Sequence, residues 1–389
     1  MNLFLVSIGN PAPTFIRRRI EALAGTKIRV MVALSYRQKE LLPANVEIVR
    51  YGDLRQMGWV DALGFIVSVL LSPGRFARVF RVVPASKLST RLKLAIRFFP
   101  LTRPKEIDVI HIQWLGHVPD LYWLKSFYNA RMIASVRGSQ VTVYPHSQPG
   151  FTQIIRNAFR LADSFHLVSH DLLGPSLALG AESKKLFVNY NGIDLFRFKP
   201  VPGLNLHQGL KLISVGALMW RKAYYFQLLV VRQLIMSGST VSLIIVGAGP
   251  DREGLKHTAR VFGVEDAVSF TGQLPEAEVI AKLREADVYL STSLAEGLPN
   301  SLVEAAACGL PIVAFACEGI REIVAHGATG YVVPAGDTDA MVQYVQRLQE
   351  ETGRLEMGKC ARTHIERYFN QDECVEEMIE HYKRIVNGG

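Results

Sequence analysis

Residues 287–315 read DVYLSTSLAEGLPNSLVEAAACGLPIVAF. The apolar, β-rich start is a strand. Residues 292–299 break it with Gly297 and Pro299, and Pro299 fits the first position, or the residue just outside, of a helix starting near Asn300. Gly309 closes that helix as a residue that tolerates a left-handed backbone, and Pro311 follows it. The chain then returns to a β-branched run at 311–315. Strand, helix and strand in so short a stretch form the crossover unit from which parallel sheets are built. The unit also carries two acids, Glu296 in its loop and Glu304 on the second helical turn. Both lie close to a helix N-terminus at the carboxyl end of a strand.

The same alternation runs along the whole chain. Strand candidates are 2–8, 28–34, 46–50, 108–113, 131–136, 165–168 and 186–189, and then 210–215, 241–246, 267–271, 287–291, 311–315 and 330–333. Helical candidates are 15–24, 151–161, 222–236, 251–262, 277–285, 300–308, 319–326, 337–350 and 355–386. Two such runs predict an α/β protein with two doubly wound parallel-sheet domains. The division falls near Pro200-Val-Pro-Gly203, giving domains over 1–200 and 201–365. Ligands of open parallel sheets bind beyond the carboxyl ends of the strands, so the expected site is a cleft between the two domains.

Bulk properties narrow the function. At 389 residues and 49% hydrophobic content the chain is globular. Its four cysteines show neither metal-ligand spacing nor a disulfide framework, which fits a reducing, cytoplasmic setting. The opening MNLFLVSIGN reads as a buried strand rather than a leader. The longest uncharged apolar run, 62–71, is about half of what spans a bilayer. Charge is divided unevenly. Residues 1–200 hold 27 Lys and Arg against 12 acids, and residues 201–389 hold 17 against 23. The basic stretch 75–105 directly follows the apolar run. That pairing suits an anionic membrane surface, and a solvated basic face is the plainer alternative. No nucleic-acid-binding motif is present, and aromatic residues are not interleaved with the cations.

Three motifs carry chemistry. A helix N-terminus attracts an anion, so two carboxylates beside one look contradictory. A ligand with both a phosphate and hydroxyls removes the contradiction, because a carboxylate accepts strongly from O–H donors. The alternative is a solvated loop acid and a helix-face glutamate, and spacing alone does not choose. In ISVGALMWRKAYYFQLLVV (213–231), Arg221 and Lys222 precede a helix, where the macrodipole disfavours cations. A bound phosphate would reconcile them; an exposed basic pair is again the alternative. In LIIVGAGPDREGL (243–255) the glycines lack the dinucleotide-binding spacing, and Pro250 and Asp251 account for the stretch as helix initiation. In the first half, Thr14 is a candidate cap ahead of a buried Phe15, Ile16, Ile20, Leu23 stripe. His111, Trp114 and His117 follow a strand, and Arg137-Gly138 ends another, with His146 beyond.

These stretches together resemble retaining GT-B glycosyltransferases of family 4. EGLPNSLVEAAACGLPIVA resembles the family's E-x7-E region. SVGALMWRKAY resembles S-V-G-R-L-x-x-x-K-G, and IIVGAGPDREGL resembles I-V-G-x-G-P-x-R-x-x-L. VSFTGQLPEAEV, EADVYLSTSLAEG, GIREIVAHGATGYVVPAGD and NYNGIDLFRFKP follow the family's order. PAPTFIRRRIEAL resembles the opening of the subgroup that builds capsular, exopolysaccharide and lipopolysaccharide chains.

The resemblance implies two Rossmann-like domains, with a nucleotide-sugar donor, UDP or GDP type, on the second and an acceptor on the first. A last helix, near 366–389, would pack back on the first domain. Lys222 would hold the diphosphate, Glu304 the ribose hydroxyls and Glu296 hydroxyls of the transferred sugar. Gly216, Arg221, Gly247, Gly297, Leu298, Pro299, Asn300 and Ser301 complete the donor side. Asn10, Thr14, Trp114 and His117 would face the acceptor, and Arg137 and His111 join Glu296 and Lys222 as catalytic candidates. No metal and no cofactor are implied. Two departures stand out: Ala217 replaces the family's arginine, and Arg137-Gly138-Ser139-Gln140 replaces H-G-x-D. The expected activity is sugar transfer to a lipid-linked glycan on the cytoplasmic membrane face. The rivals are a nucleotide-sugar epimerase and a degenerate glycan-binding subunit.

Overall fold

The computed structural model describes residues 1–6, 9, 12–36, 42–52, 58–85, 87–201 and 209–388. The chain forms two compact units. The first comprises Met1–Val168, Leu172–Asn189 and Val375–Gly389, and the second Ser169–Asp171 and Tyr190–Cys374.

In the first unit the strands are β1 (Asn2–Val6), β2 (Arg29–Ser35), β3 (Glu47–Tyr51), β4 (Val109–Ile112), β5 (Arg131–Val136), β6 (Ser164–Leu167) and β7 (Leu186–Val188). In the second they are β8 (Leu210–Val215), β9 (Val241–Val246), β10 (Val268–Gly272), β11 (Val288–Ser291), β12 (Ile312–Phe315) and β13 (Gly330–Val333). Each predicted strand is present to within two residues at its described ends, and positions 7 and 8 of the first lie outside the described residues. All pairings between these strands are parallel. The reason is visible in β4 and β11, whose residues are buried throughout. Strands covered on both faces read as continuous apolar runs.

The sheet orders are β3-β2-β1-β4-β5-β6-β7 and β10-β9-β8-β11-β12-β13. In each, the winding direction reverses once, between β1 and β4 and between β8 and β11. Those reversals are the topological switch points where open sheets bind ligands.

The first unit's helices include α1 (Thr14–Ala24), α2 (Trp59–Leu71), α3 (Pro73–Val82) and α4 (Leu88–Phe98). The sequence pattern assigned no helix to 59–98. The first core is built from β1, β2 and α1, and the last helix, Gln371–Val386, adds Val375, Met378 and Tyr382 to it. Ile16, Ile20 and Leu23 of α1 are buried as the periodicity predicts, while Arg18 and Arg19 are buried with them. The predicted helix 355–386 is in fact two, Glu351–Tyr368 and Gln371–Val386. Ile193 enters the break, donating to the Phe369 carbonyl at 2.8 Å and accepting from the Gln371 N–H at 3.2 Å.

Candidate active site

In the second unit, the loops after β8 and β11 leave the sheet side by side at its switch point. The second loop is bonded to backbone carbonyls of the first. The Thr292 hydroxyl lies 3.0 Å from the carbonyls of both Lys222 and Ala223. The Leu294 N–H donates to the Arg221 carbonyl at 2.8 Å. Ala223 adopts a left-handed backbone, φ 48°, which turns the chain into the helix Tyr224–Met236. Each constraint acts on backbone, so the fold sets where the side chains of these loops begin.

The result is an ion pair. Lys222 Nζ lies 2.6 Å from Glu296 Oε1, and Arg221 Nη1 lies 3.6 Å from Oε2. Glu296 is 7% exposed. A buried carboxylate needs such partners, since an isolated one would be strongly disfavoured. Arg221 also directs Nε to the Met219 sulfur at 3.1 Å. Ala217, by contrast, is exposed.

Glycines leave room for this pairing. A Cβ on Gly216 would lie 3.3 Å from Lys222 Cε and 3.0 Å from the Tyr224 hydroxyl. Gly247, at φ 143°, passes so close to the first loop that a Cβ would come within 1.9 Å of the Gly216 carbonyl oxygen. Gly319, after β12, sits the same way against Gly297, at 2.4 Å from its carbonyl oxygen.

The helix Asn300–Ala307 begins immediately after the Glu296 loop, with Pro299 as its N-cap. Glu304 is buried on that helix. Ser301 lies 2.8 Å from the Tyr289 hydroxyl, which also donates to the Val215 carbonyl at 3.0 Å and accepts from the Val215 N–H at 3.1 Å. Tyr289 therefore fixes the helix start to the end of β8. Leu298 is buried, and Asn300 accepts from the Asn191 amide at 3.1 Å. The second unit thus brings Gly216, Arg221, Lys222, Gly247, Gly297, Leu298, Pro299, Asn300, Ser301, Glu296 and Glu304 to the carboxyl edge of one sheet.

The sequence reading passed over two residues here. Asn191 is buried, and its Oδ1 has no hydrogen-bond partner among the described residues. Glu318, on the turn after β12, likewise leaves Oε2 without one. Each stands at a strand end beside a glycine, in NYNG and CEGI, and that was the available signal.

The first unit treats its candidates differently. His111 is fully buried on β4. Its Nδ1 lies 2.7 Å from the Tyr382 hydroxyl and its Nε2 2.8 Å from Ser135 Oγ. Ser135 Oγ continues to His166 Nδ1 at 2.9 Å, and His166 Nε2 reaches the Asn189 carbonyl at 2.7 Å. A carbonyl only accepts, so His166 Nε2 carries the proton. The order then follows: Tyr382 donates to His111, His111 to Ser135, Ser135 to His166, and His166 to Asn189. Burial, together with the nearby Arg19 and Arg137, holds both imidazoles well below their ordinary pKa, so both are neutral. With both ring nitrogens used, His111 has no lone pair or proton left for a substrate. Its expected catalytic role is corrected to a structural one.

Arg137 follows β5 and is 7% exposed. It donates through Nε to the Gln113 carbonyl at 3.0 Å and through Nη2 to Gln113 Oε1 at 3.1 Å. Its guanidinium stacks over Phe15 at 4.5 Å and Trp114 at 5.3 Å. Among the described residues no carboxylate pairs with it. Gln140 Oε1 accepts from the Arg137 N–H at 3.4 Å or, with the amide turned over, from Leu115 and Gly116 at 3.3 Å. Thr14 is the first helical residue of α1 and not its cap. Pro13 takes that place, and its carbonyl accepts from Ile16 and Arg17 at 2.9 and 3.1 Å. Trp114 is half-buried, and His117 and His146 are exposed. Asn10 lies outside the described residues. Among those residues, no group of three His, Cys, Asp or Glu is placed to hold a metal ion.

Residues 209–351 match the family described as Glycosyl transferases group 1. The chain is 26% identical over 344 residues to the amylovoran biosynthesis glycosyltransferase AmsK of Erwinia amylovora, covering 83% of this chain and 81% of that one. It is 30% identical over 267 residues to the putative colanic acid biosynthesis glycosyltransferase WcaL of Escherichia coli K12, covering 64% and 65%. The crystal structure of Anabaena HepE in complex with UDP superimposes with a TM-score of 0.72 at 17% identity, over 98% of this chain and 99% of that one. At that identity the superposition shows a shared fold and no more.

Proposed function

We propose that the chain, whose residues 209–351 match the group 1 glycosyltransferases and whose fold is GT-B, is a retaining, family 4 enzyme of polysaccharide biosynthesis. In this reading it moves a sugar from a nucleotide-diphosphate sugar to a hydroxyl of a lipid-linked glycan. The observation that carries it is the Lys222–Glu296 pair at 2.6 Å, set beside the N-terminus of the helix Asn300–Ala307 at a sheet switch point. The roles of its relatives in amylovoran and colanic acid synthesis support the polysaccharide assignment, and the UDP held by Anabaena HepE supports a nucleotide-sugar donor.

The division of labour follows from the chemistry of each group. The bond between the anomeric carbon and the distal phosphate oxygen breaks, and negative charge collects on the diphosphate. Lys222, freed from Glu296, joins Arg221 and the helix N–H groups in meeting that charge. Arg221 takes the part of the arginine that Ala217 replaces. Glu296, displaced from Lys222 by the phosphate, accepts from hydroxyls of the transferred sugar, and Glu304 accepts from the ribose. The acceptor oxygen bonds the same face of the sugar, and its proton passes to the departing phosphate oxygen. Arg137, Trp114, Thr14 and His117 serve the acceptor side, and the work is done at the inner face of the membrane.

Ligand-observed NMR against UDP, GDP, ADP and CMP, repeated with Glu304→Ala, tests the site. One diphosphate should bind, and the variant should lose it. Binding to none, or binding unchanged in the variant, overturns the assignment. The anomeric configuration of the product tests retention.

A further inference from the structure

Helix α2 shows a face that the fold does not use. Trp59, Leu63, Ile66, Val67, Leu70 and Leu71 all stand in solvent, Trp59 at 94%, Leu70 at 73% and Leu71 at 79% exposure. Their spacing places them on one side of an α-helix. Phe65, on the other side, is buried and meets Phe99 edge-on at 5.9 Å. Single exposed leucines are ordinary, but a continuous stripe marks a surface that something covers.

Thirteen residues are too short to cross a bilayer. The chain bends by 96° into α3, and no single helix among the described residues is long and apolar enough to span. A helix of this kind lies in the interface. The neighbouring helices supply the charge for one. Arg78 and Arg81 of α3, and Lys93 and Arg97 of α4, are exposed, as is Lys87 just before α4. No acid occurs between Asp61 and Glu106.

We propose that α2, with the cations of α3 and α4, is a docking surface for an anionic phospholipid bilayer. The helix lies in the membrane plane, its apolar stripe among the upper acyl carbons and the cations among the headgroup phosphates. A second copy of the chain fits this face poorly, because a two-fold contact would set one basic cluster against its duplicate. The proposal stands on exposure and charge and is independent of the donor reading.

The test is sedimentation of the full chain with vesicles of phosphatidylcholine alone, or mixed with phosphatidylglycerol, at low and high salt. Binding should rise about ten-fold with phosphatidylglycerol and fall with salt. Leu63→Glu with Leu70→Glu should abolish it, with the circular dichroism spectrum and UDP binding as in the parent. Arg78→Gln with Arg81→Gln and Lys93→Gln should remove the preference for anionic lipid. Brominated lipids should quench fluorescence that Trp59→Phe removes. Equal binding to both vesicles, or none, overturns the proposal. So does lipid-free dimerisation that the Leu63→Glu, Leu70→Glu pair abolishes, which would make the face a protein contact. Absence of UDP binding in the parent chain would count against the transferase site alone.

Discussion

Lys222 meets Glu296 at 2.6 Å because Thr292 and Leu294 bond the backbone of the turn that carries the lysine. The pair is therefore placed before any ligand arrives. Lys222→Ala should cost about 1–3 kcal/mol of stability, less than a fully orphaned buried charge, since Arg221 remains 3.6 Å away. Combining it with Glu296→Gln should restore most of that stability and none of the activity. Thermal unfolding and turnover, measured on the single and double variants, separate the two effects. A double variant as active as the parent would remove both residues from the reaction.

Ala223 sits at φ 48°, where a side chain costs roughly 1 kcal/mol. The resembling pattern has glycine at this position. Ala223→Gly should raise stability by about 0.5 kcal/mol, after the glycine's greater freedom in the unfolded chain is set against it. Urea midpoints check this, and a lower midpoint would mean that the turn is not strained.

Gly247 and Gly319 face backbone oxygens at distances no Cβ tolerates, 1.9 and 2.4 Å. Gly319→Ala should push the Gly297 loop away from its neighbour and weaken nucleotide binding at least about ten-fold, while the unit stays folded. Gly247→Ala, with the tighter contact, should destabilise the unit itself. Calorimetric titration and melting curves distinguish the two outcomes.

The buried histidines set a pH dependence. His111 and His166 resist protonation when folded, whereas in the unfolded chain they take up protons below about pH 6.5. The unfolded state then holds more protons, so stability is complete above that pH and falls beneath it, by about 1.4 kcal/mol per unit for each histidine. His381, lowered to about 4 by burial, adds to the loss. Denaturant titrations from neutral pH to pH 5 should show the slope. Tyr382→Phe should lower stability by about 1 kcal/mol at every pH, because His111 loses its donor. A flat profile would mean that the histidines are not held neutral.

The sequence showed most of the frame and most of the residues gathered at the carboxyl edge of the second sheet. Strands buried on both faces leave apolar runs that can be counted, and glycine and proline mark their ends. Glu296 and Glu304 stood out as acids beside a helix N-terminus that attracts anions, and Arg221 and Lys222 as cations ahead of a helix whose macrodipole disfavours them. Helix α2 was missed because both its sides are apolar, so the pattern shows no period. His111 was misassigned because a histidine just before a strand end looks the same whether it faces a cleft or the interior. The break at Phe369 was invisible because its cause, Ile193, is remote in sequence.

The first core is closed by Val375, Met378 and Tyr382. A ribosome delivers these residues only after the entire second unit, about 10–40 s behind Asn189 at ordinary elongation rates. The earlier-made unit is thus the later to finish folding, because part of the core that α1 shares with its sheet stays open until then. A chain truncated after Cys374 should therefore hold a folded second unit and a protease-sensitive first one, the reverse of the order of synthesis.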